Sequence, residues 1–290
     1  MYAIKTDKLT KFYGRSRGII DVDINVSVGD FYGFIGPNGA GKSTTIRTLL
    51  GLINPNSGSA DILGQKLSQD KVNILSKIGY LPSETIFYNG LRVSECLKLS
   101  AKLRGIDCTA EAKKLCERLE LDTTKRVSEL SFGNRKKVGI VCALQHKPEL
   151  CILDEPTSSL DPLMQREFYS ILTERNNEGA TVFLSSHVLS EVGKYCKKAA
   201  VIKEGRIIVE DTVEKLAHTG IKRVTLKGAS SISKNDQVRD LRVDEDSATF
   251  LYSGDPGMLI EYLKGLRPCD FTVTDPDLEE VFMHYYRKED

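Results

Sequence analysis

One eight-residue run, Gly36-Pro37-Asn38-Gly39-Ala40-Gly41-Lys42-Ser43, constrains this chain more than any other stretch. It fits G-x-x-x-x-G-K-[ST], is followed by Thr44, and stands between apolar Phe31–Ile35 and the helically spaced Ile46, Leu49 and Leu50. Strand, glycine-rich turn and helix start in that order make an anion cradle. The glycines let backbone amides close on phosphate oxygens, and the helix dipole favours negative charge there. With Gly near 7% of residues, such a match arises by chance in roughly one chain of this length in a hundred. The expected ligand is a nucleotide, with Lys42 on its β- and γ-phosphates and the Ser43 hydroxyl on Mg²⁺. The N-K-x-D element usual in guanine-specific enzymes is absent from the sequence.

Two further apolar runs end in polar residues suited to the same chemistry. Leu150-Cys151-Ile152-Leu153 leads into Asp154-Glu155, and Thr181-Val182-Phe183-Leu184 leads into Ser185-Ser186-His187. Short buried strands that hand over to loops indicate an α/β domain with parallel strands. Adjacent strand residues point opposite ways, so the two acids need separate tasks. Asp154 is expected in the Mg²⁺ shell and Glu155 nearer the γ-phosphate, polarising water. His187 is placed to hydrogen-bond the γ-phosphate or the attacking water.

Elsewhere the pattern changes twice. Between about residues 84 and 135, Leu97, Leu99, Ala101 and Leu103, then Ala112, Leu115, Cys116 and Leu119, lie among Lys and Glu. The second set has helical spacing, so a helical insert is expected. After His218, the stretches VTLKG, QVRDLRVDED and SATFLYSG alternate like short strands, with a helix candidate at Met258–Leu266. A final helix is expected from Asp275, an N-cap followed by Pro276, with Leu278, Val281, Phe282 and Tyr285 on one face. The division expected is residues 1–218 and a small α+β domain over 219–290.

Composition removes several function classes. A net charge of +1 and the lack of a basic stripe interleaved with aromatics speak against nucleic acid as partner. Seven scattered cysteines without metal spacing suit buried thiols in a reducing compartment. The N-terminal MYAIKTDKLTKFYG is neither signal peptide nor spanning helix, so a membrane role has to come through a partner.

The stretch SELSFGNRKKV adds a puzzle. Arg135, Lys136 and Lys137 fall in the first turn of a helix continued by Val138, Val141 and Leu144, where cations oppose the dipole at about 0.3–1 kcal/mol each. An anion arriving at that helix start would reverse the sign of the argument.

Taken in order, GPNGAGKST, SELSFGNRKK, LCILDEP, SSLD and LSSH resemble the ATP-binding cassette of ABC transporters over about residues 1–215. The tail DPDLEEVFMHYY and the length resemble bacterial drug and peptide exporter ATPases of the bacitracin-resistance type, whose permease is a separate chain. The resemblance implies a P-loop NTPase cassette, with a RecA-like core and helical subdomain, that binds ATP and Mg²⁺. Its implied roles are adenine stacking for Tyr13, phosphate binding for Gly36 to Thr44, and general base for Glu155. His187 matches the switch histidine. Ser158 to Asp161 match the loop that crosses the dimer interface, and Leu130 to Asn134 match the signature. Through Ser131, Phe132, Gly133 and Asn134 that signature would bind the ATP held by the opposite subunit. Two departures stand out. After Gly79-Tyr80-Leu81-Pro82 the family usually carries Gln, whereas this chain has Ser83 and Glu84, either of which could take the metal-sensing place. The signature reads LSFGN where LSGGQ is commonest.

The mechanism expected is an ATP-driven motor for export of a drug, antimicrobial or amphipathic peptide. Two cassettes, read as copies of this chain, would sandwich ATP head to tail against a membrane permease, at the cytoplasmic face of the cell membrane. The rival class is a cassette ATPase acting on DNA or the ribosome. It is weakened by a spacing of about ninety residues between phosphate loop and signature, too short for the long coiled coil of DNA-repair members. A regulatory subunit that binds ATP without hydrolysing it is weakened by intact Glu155 and His187.

Overall fold

The apolar runs at 31–35, 150–154 and 181–186 are fully buried strands in a computed structural model of the chain. It describes every residue except 15, 67–69, 89, 218–220, 229–231, 233–236, 245 and 277–290. The strands belong to a six-stranded sheet in the order Arg206–Thr212, Lys198–Lys203, Phe31–Ile35, Thr181–Ser186, Leu150–Asp154, Ile78–Leu81. From Lys198–Lys203 to Ile78–Leu81 each neighbouring pair is parallel. Register sets Ile35 against Ser186 and Asp154 against Ser185, so the carboxyl ends finish level. In open parallel sheets that edge is where ligands bind. Phe183 stacks on Tyr32 at a centroid distance of 5.8 Å and packs tilted against Phe34 at 5.3 Å, in the core between this sheet and a second one.

The second sheet, antiparallel, joins Tyr2–Tyr13 to Ser16–Val22, Asn25–Ser27 and Ser57–Ile62. The sequence does not foretell it, because bulges interrupt the register on both sides of Tyr2–Tyr13 and break the two-residue alternation.

The stretch expected to be helical, about residues 84–135, contains the helices Val93–Arg104 and Thr109–Arg118, and a third, Phe132–Leu144, begins at its end where the Val138, Val141 and Leu144 spacing places it. Arg118 donates to Glu167 at 2.5 Å and to both oxygens of Glu174 at 2.6 and 2.7 Å, which fastens the second of these to helix Pro162–Asn177. Buried Arg175 answers from that helix with Glu111. Just past the end of the third helix, His146 donates from Nε2 to the carbonyl of Ile78 at 3.2 Å, while its buried Nδ1 has no partner. Burial, with help from the Arg104 charge, pulls its pKa from the ordinary 6.5 down to about 4. The unfolded chain therefore takes up a proton that the fold refuses. Stability from this group is complete above about pH 6.5 and is lost as pH falls toward 4. The melting temperature should drop between pH 7 and 5, and His146→Gln should flatten that slope. Identical slopes in the two proteins would refute the assignment.

The chain divides into two compact units, Met1–Asp211 and Thr212–Asp290. In the second, an antiparallel sheet runs Val238–Val243, Ser247–Ser253, Ile221–Lys227, Asp270–Thr274. Helix Pro256–Leu266 starts on an Asp255 cap that accepts from Gly257 and Met258 amides at 2.8 and 3.2 Å. It buries Leu259 and Leu263 against Val224, Leu226, Phe250 and Tyr252. The fourth strand, DFTVT, was not foreseen. The helix expected from Asp275, with Leu278, Val281, Phe282 and Tyr285, lies outside the described residues.

Candidate functional site

Four adjacent strands end in the residues of interest: Ile35 in the glycine loop, Ser186 in His187, Asp154 in Glu155, and Leu81 in Pro82-Ser83. Neighbouring strands lie about 4.8 Å apart, so topology alone gathers these groups along one edge. The glycine loop turns through an Ala40 amide bonded to Pro37 O at 3.1 Å. Gly41 then takes φ +114°, where a side chain is strained, and a Cβ would fall 2.9 Å from Ile19 Cγ2. Helix Lys42–Leu49 follows at once. Lys42 is buried, and its ammonium reaches Gly36 O at 2.6 Å, Pro37 O at 3.2 Å and Glu155 Oε1 at 3.1 Å.

Asp154 closes its strand at 2% exposure and accepts from Ser185 Oγ at 2.6 Å. Glu155 leaves the strand at φ +50°, a conformation uncommon for a side-chain-bearing residue and one that clusters at functional sites. That turn separates the two carboxylates. The Glu155 amide donates to Ser185 O at 3.1 Å, and its Oε2 accepts from Nδ1 of His187. A cavity of about 270 Å³ is walled by Asn38, Gly39, Gly41 and Lys42–Thr44, together with Ser83, Glu155 and Gly18. A larger cavity of about 840 Å³, walled largely by residues of helices Val93–Arg104 and Thr109–Arg118, holds none of these groups. The chemistry resides in the smaller one, where cation, carboxylate and loop amides converge.

The second candidate surface is the start of helix Phe132–Leu144. Ser131 is its N-cap, its Oγ accepting from the Asn134 amide at 3.3 Å, and Phe132 is exposed. The three cations do not form the open cluster that an incoming anion would need. Arg135 folds back on Leu130 O at 3.1 Å, Lys136 donates to Pro82 O and Ser83 O at 3.1 and 2.9 Å, and Lys137 is buried. Helix periodicity turns 136 and 137 inward, which overrides the dipole argument. Gly133 also has an internal reason, since a Cβ there would lie 2.6 Å from Ser159 O.

Of the residues singled out from sequence, Asn38, Gly39, Gly41, Lys42, Ser43, Thr44 and Glu155 share the cavity wall, with Ser83 and not Glu84. Tyr13 lies outside that wall, half exposed at the end of its strand, with Lys11 Nζ 5.7 Å from its ring centroid. Asp161 lies outside it as well, capping helix Pro162–Asn177 through the amides of Leu163 and Met164, both at 3.0 Å. Sequence reasoning missed Gly18 and Ser185, and it aimed Lys136 at an incoming anion where the structure turns it onto the Pro82 and Ser83 carbonyls. The Asp154–Ser185 register offers a signal for Ser185 once the strands are paired; the others follow only from tertiary packing.

Residues 19–158 match the family model described as ABC transporter. The bacitracin transport ATP-binding protein BcrA of Bacillus licheniformis is 36% identical over 97% of this chain and 96% of its own. The linearmycin resistance ATP-binding protein LnrL of Bacillus subtilis is 28% identical over 97% of each. Among solved structures, an ATP-binding subunit of an ABC transporter superposes with a TM-score of 0.69 at 30% identity, covering 74% of this chain and 91% of that one.

Proposed function

The chain belongs to the ATP-binding cassette family of ABC transporters, and from that premise we propose that it is the ATP-hydrolysing subunit of an exporter of drugs or amphipathic antimicrobial peptides. The observation that carries the reading is the pairing of Lys42 with Glu155 in the wall of the cavity built by the glycine loop, with His187 on the other oxygen of Glu155 from outside that wall. The relatives over nearly the full chain are named for bacitracin transport and linearmycin resistance, which supports the substrate class.

In this reading the loop amides and Lys42 hold the β- and γ-phosphates, and the attacking water sits beside Glu155. The water oxygen bonds to the γ-phosphorus while the bond to the bridging oxygen breaks. ADP leaves, and Glu155 takes the water's proton with His187 orienting its carboxylate. Phosphate competes with Glu155 for the Lys42 ammonium, so nucleotide entry releases the base for its task. Hard oxygen donors suit Mg²⁺, which keeps few protein ligands when phosphates supply the rest. Ser43 and Asp154 would hold it, Asp154 being oriented by Ser185, and bound there it neutralises charge developing on the phosphates.

Among the described residues no helix is long and apolar enough to cross a membrane. The permease is proposed as a separate chain, as relatives matched over nearly their full length are themselves named as ATP-binding proteins. The cassette would sit at the cytoplasmic face of the membrane and pair head to tail with a second copy through Ser131–Asn134 and the loop ending at Asp161. Tyr13 is assigned to the adenine. The test is to express the tagged chain together with a candidate permease from the same genome. Co-purification with a membrane protein, ATP hydrolysis by the pair and raised resistance to a peptide antibiotic are expected. Recovery as a ribosome-bound species with no membrane partner would overturn the proposal.

A further inference from the structure

Helix Phe132–Leu144 presses one face on the loops that build the site. A Cβ on Gly133 would meet Ser159 O at 2.6 Å, and one on Gly139 would meet Thr85 Cγ2 at 2.5 Å and Leu81 Cδ1 at 2.9 Å. Farther along, Ala143 O lies 2.2 Å from where a Cβ on Gly79 would stand. Steps of three and four residues keep positions 133, 136, 139 and 143 on one side of the helix. Lys136 occupies the middle of that contact at 1% exposure, donating to the carbonyls of Pro82 and Ser83. Ser83 in turn stands in the wall of the nucleotide cavity with Glu155.

A buried ammonium is costly unless it is held and used, and an apolar side chain would fill this space without that cost. Two carbonyls take two of its three hydrogens, while Asp154 and Glu155 are the charges it feels. Burial pulls its pKa down to about 8 and those two carboxylates pull it back up. Position 83, where the family resemblance places a glutamine, carries a serine whose short side chain spans little distance. The contact between the helical region and the catalytic edge thus comes from the helix side.

We propose that Lys136 is a positioning residue for ATP hydrolysis, which fixes the Pro82–Ser83 carbonyls and so ties the helix carrying Ser131–Gly133 to the wall of the nucleotide cavity. The inference rests on Glu155 being the base, and the test separates the two.

The full-length chain is compared as wild type, Lys136→Met, Lys136→Arg and Glu155→Gln, by ATP turnover, trinitrophenyl-ATP binding and thermal melting. Lys136→Met should lower kcat by about 10–10²-fold, the cost of a small misplacement, with KM for ATP, analogue binding and melting temperature held. Lys136→Arg keeps the charge and donors and should recover most of kcat. Lys136→Leu replaces the methionine variant should that chain fail to fold. Wild-type kcat in the methionine or leucine variant overturns the proposal. So does an equal loss in the methionine and arginine variants with a lowered melting temperature, which marks a structural lysine. If Glu155→Gln hydrolyses ATP at the wild-type rate, the site reading itself fails. If Glu155→Gln is slow and Lys136→Met is not, only the role given to Lys136 falls.

Discussion

Glu155→Gln should bind ATP at least as well as the wild type and hydrolyse it about 10²–10⁴-fold more slowly, the usual contribution of a positioned base. The substitution keeps the volume and the αL backbone of a residue already held at φ +50°, so local strain is unchanged. It removes a negative charge that stands 3.1 Å from the Lys42 ammonium. Lys42 then loses a competitor for phosphate, which is why affinity should not fall. His187 keeps an oxygen to which its Nδ1 can donate, so its placement survives while its partner no longer takes a proton. Turnover and equilibrium nucleotide binding, measured on the same preparation, check both halves. A wild-type rate in the assembled transporter would remove Glu155 from the role of base.

Ser131→Arg should leave nucleotide binding in place and abolish ATP-dependent pairing of two chains, with hydrolysis reduced about 10²-fold or more through loss of the stabilising donors. The side chain is the N-cap of a helix whose first turn is open to solvent at Ser131 and Phe132. Replacing a serine cap costs about 1 kcal/mol, a small part of the stability of a domain this size. The larger effect is steric and local, because a long cation would fill the space a partner's phosphate should occupy. The cleanest measurement uses the Glu155→Gln background, where ATP persists. Light scattering should find dimers with ATP in that variant and monomers once Ser131→Arg is added. Dimers in both would show that the helix start is not half of a shared site.

The phosphate loop is legible in sequence because its chemistry is contiguous: eight residues carry the turn, the cation and the helix start. Its neighbours are legible through strand-end placement, since parallel strands deliver Glu155 and His187 to the same edge wherever they fall in the chain. What escapes is anything set by packing between elements. Three consecutive cations read as one cluster, yet helix geometry sends Arg135 back to Leu130 and Lys136 to Pro82 and Ser83. Asp154 and Glu155 are told apart by a backbone turn after the strand, and no residue pattern announces a positive φ at a glutamate. The antiparallel sheet hides behind its bulges, and strand Asp270–Thr274, exposed at every residue, offers no buried face to alternate.

At about 1.5 Å of rise per residue, Gly133 and Ala143 stand about 15 Å apart, so helix Phe132–Leu144 works as a ruler laid across the site. Its marks are the Ser159 carbonyl, the Pro82 and Ser83 carbonyls, and the strand at Gly79. One residue inserted between the first and second mark would rotate everything beyond by about 100° and slide it by about 1.5 Å. The exposed faces of this rod are free to drift in sequence. Its length is not, because the loop after one catalytic strand is kept in phase with the loop after the other by a count of residues rather than by any single bond.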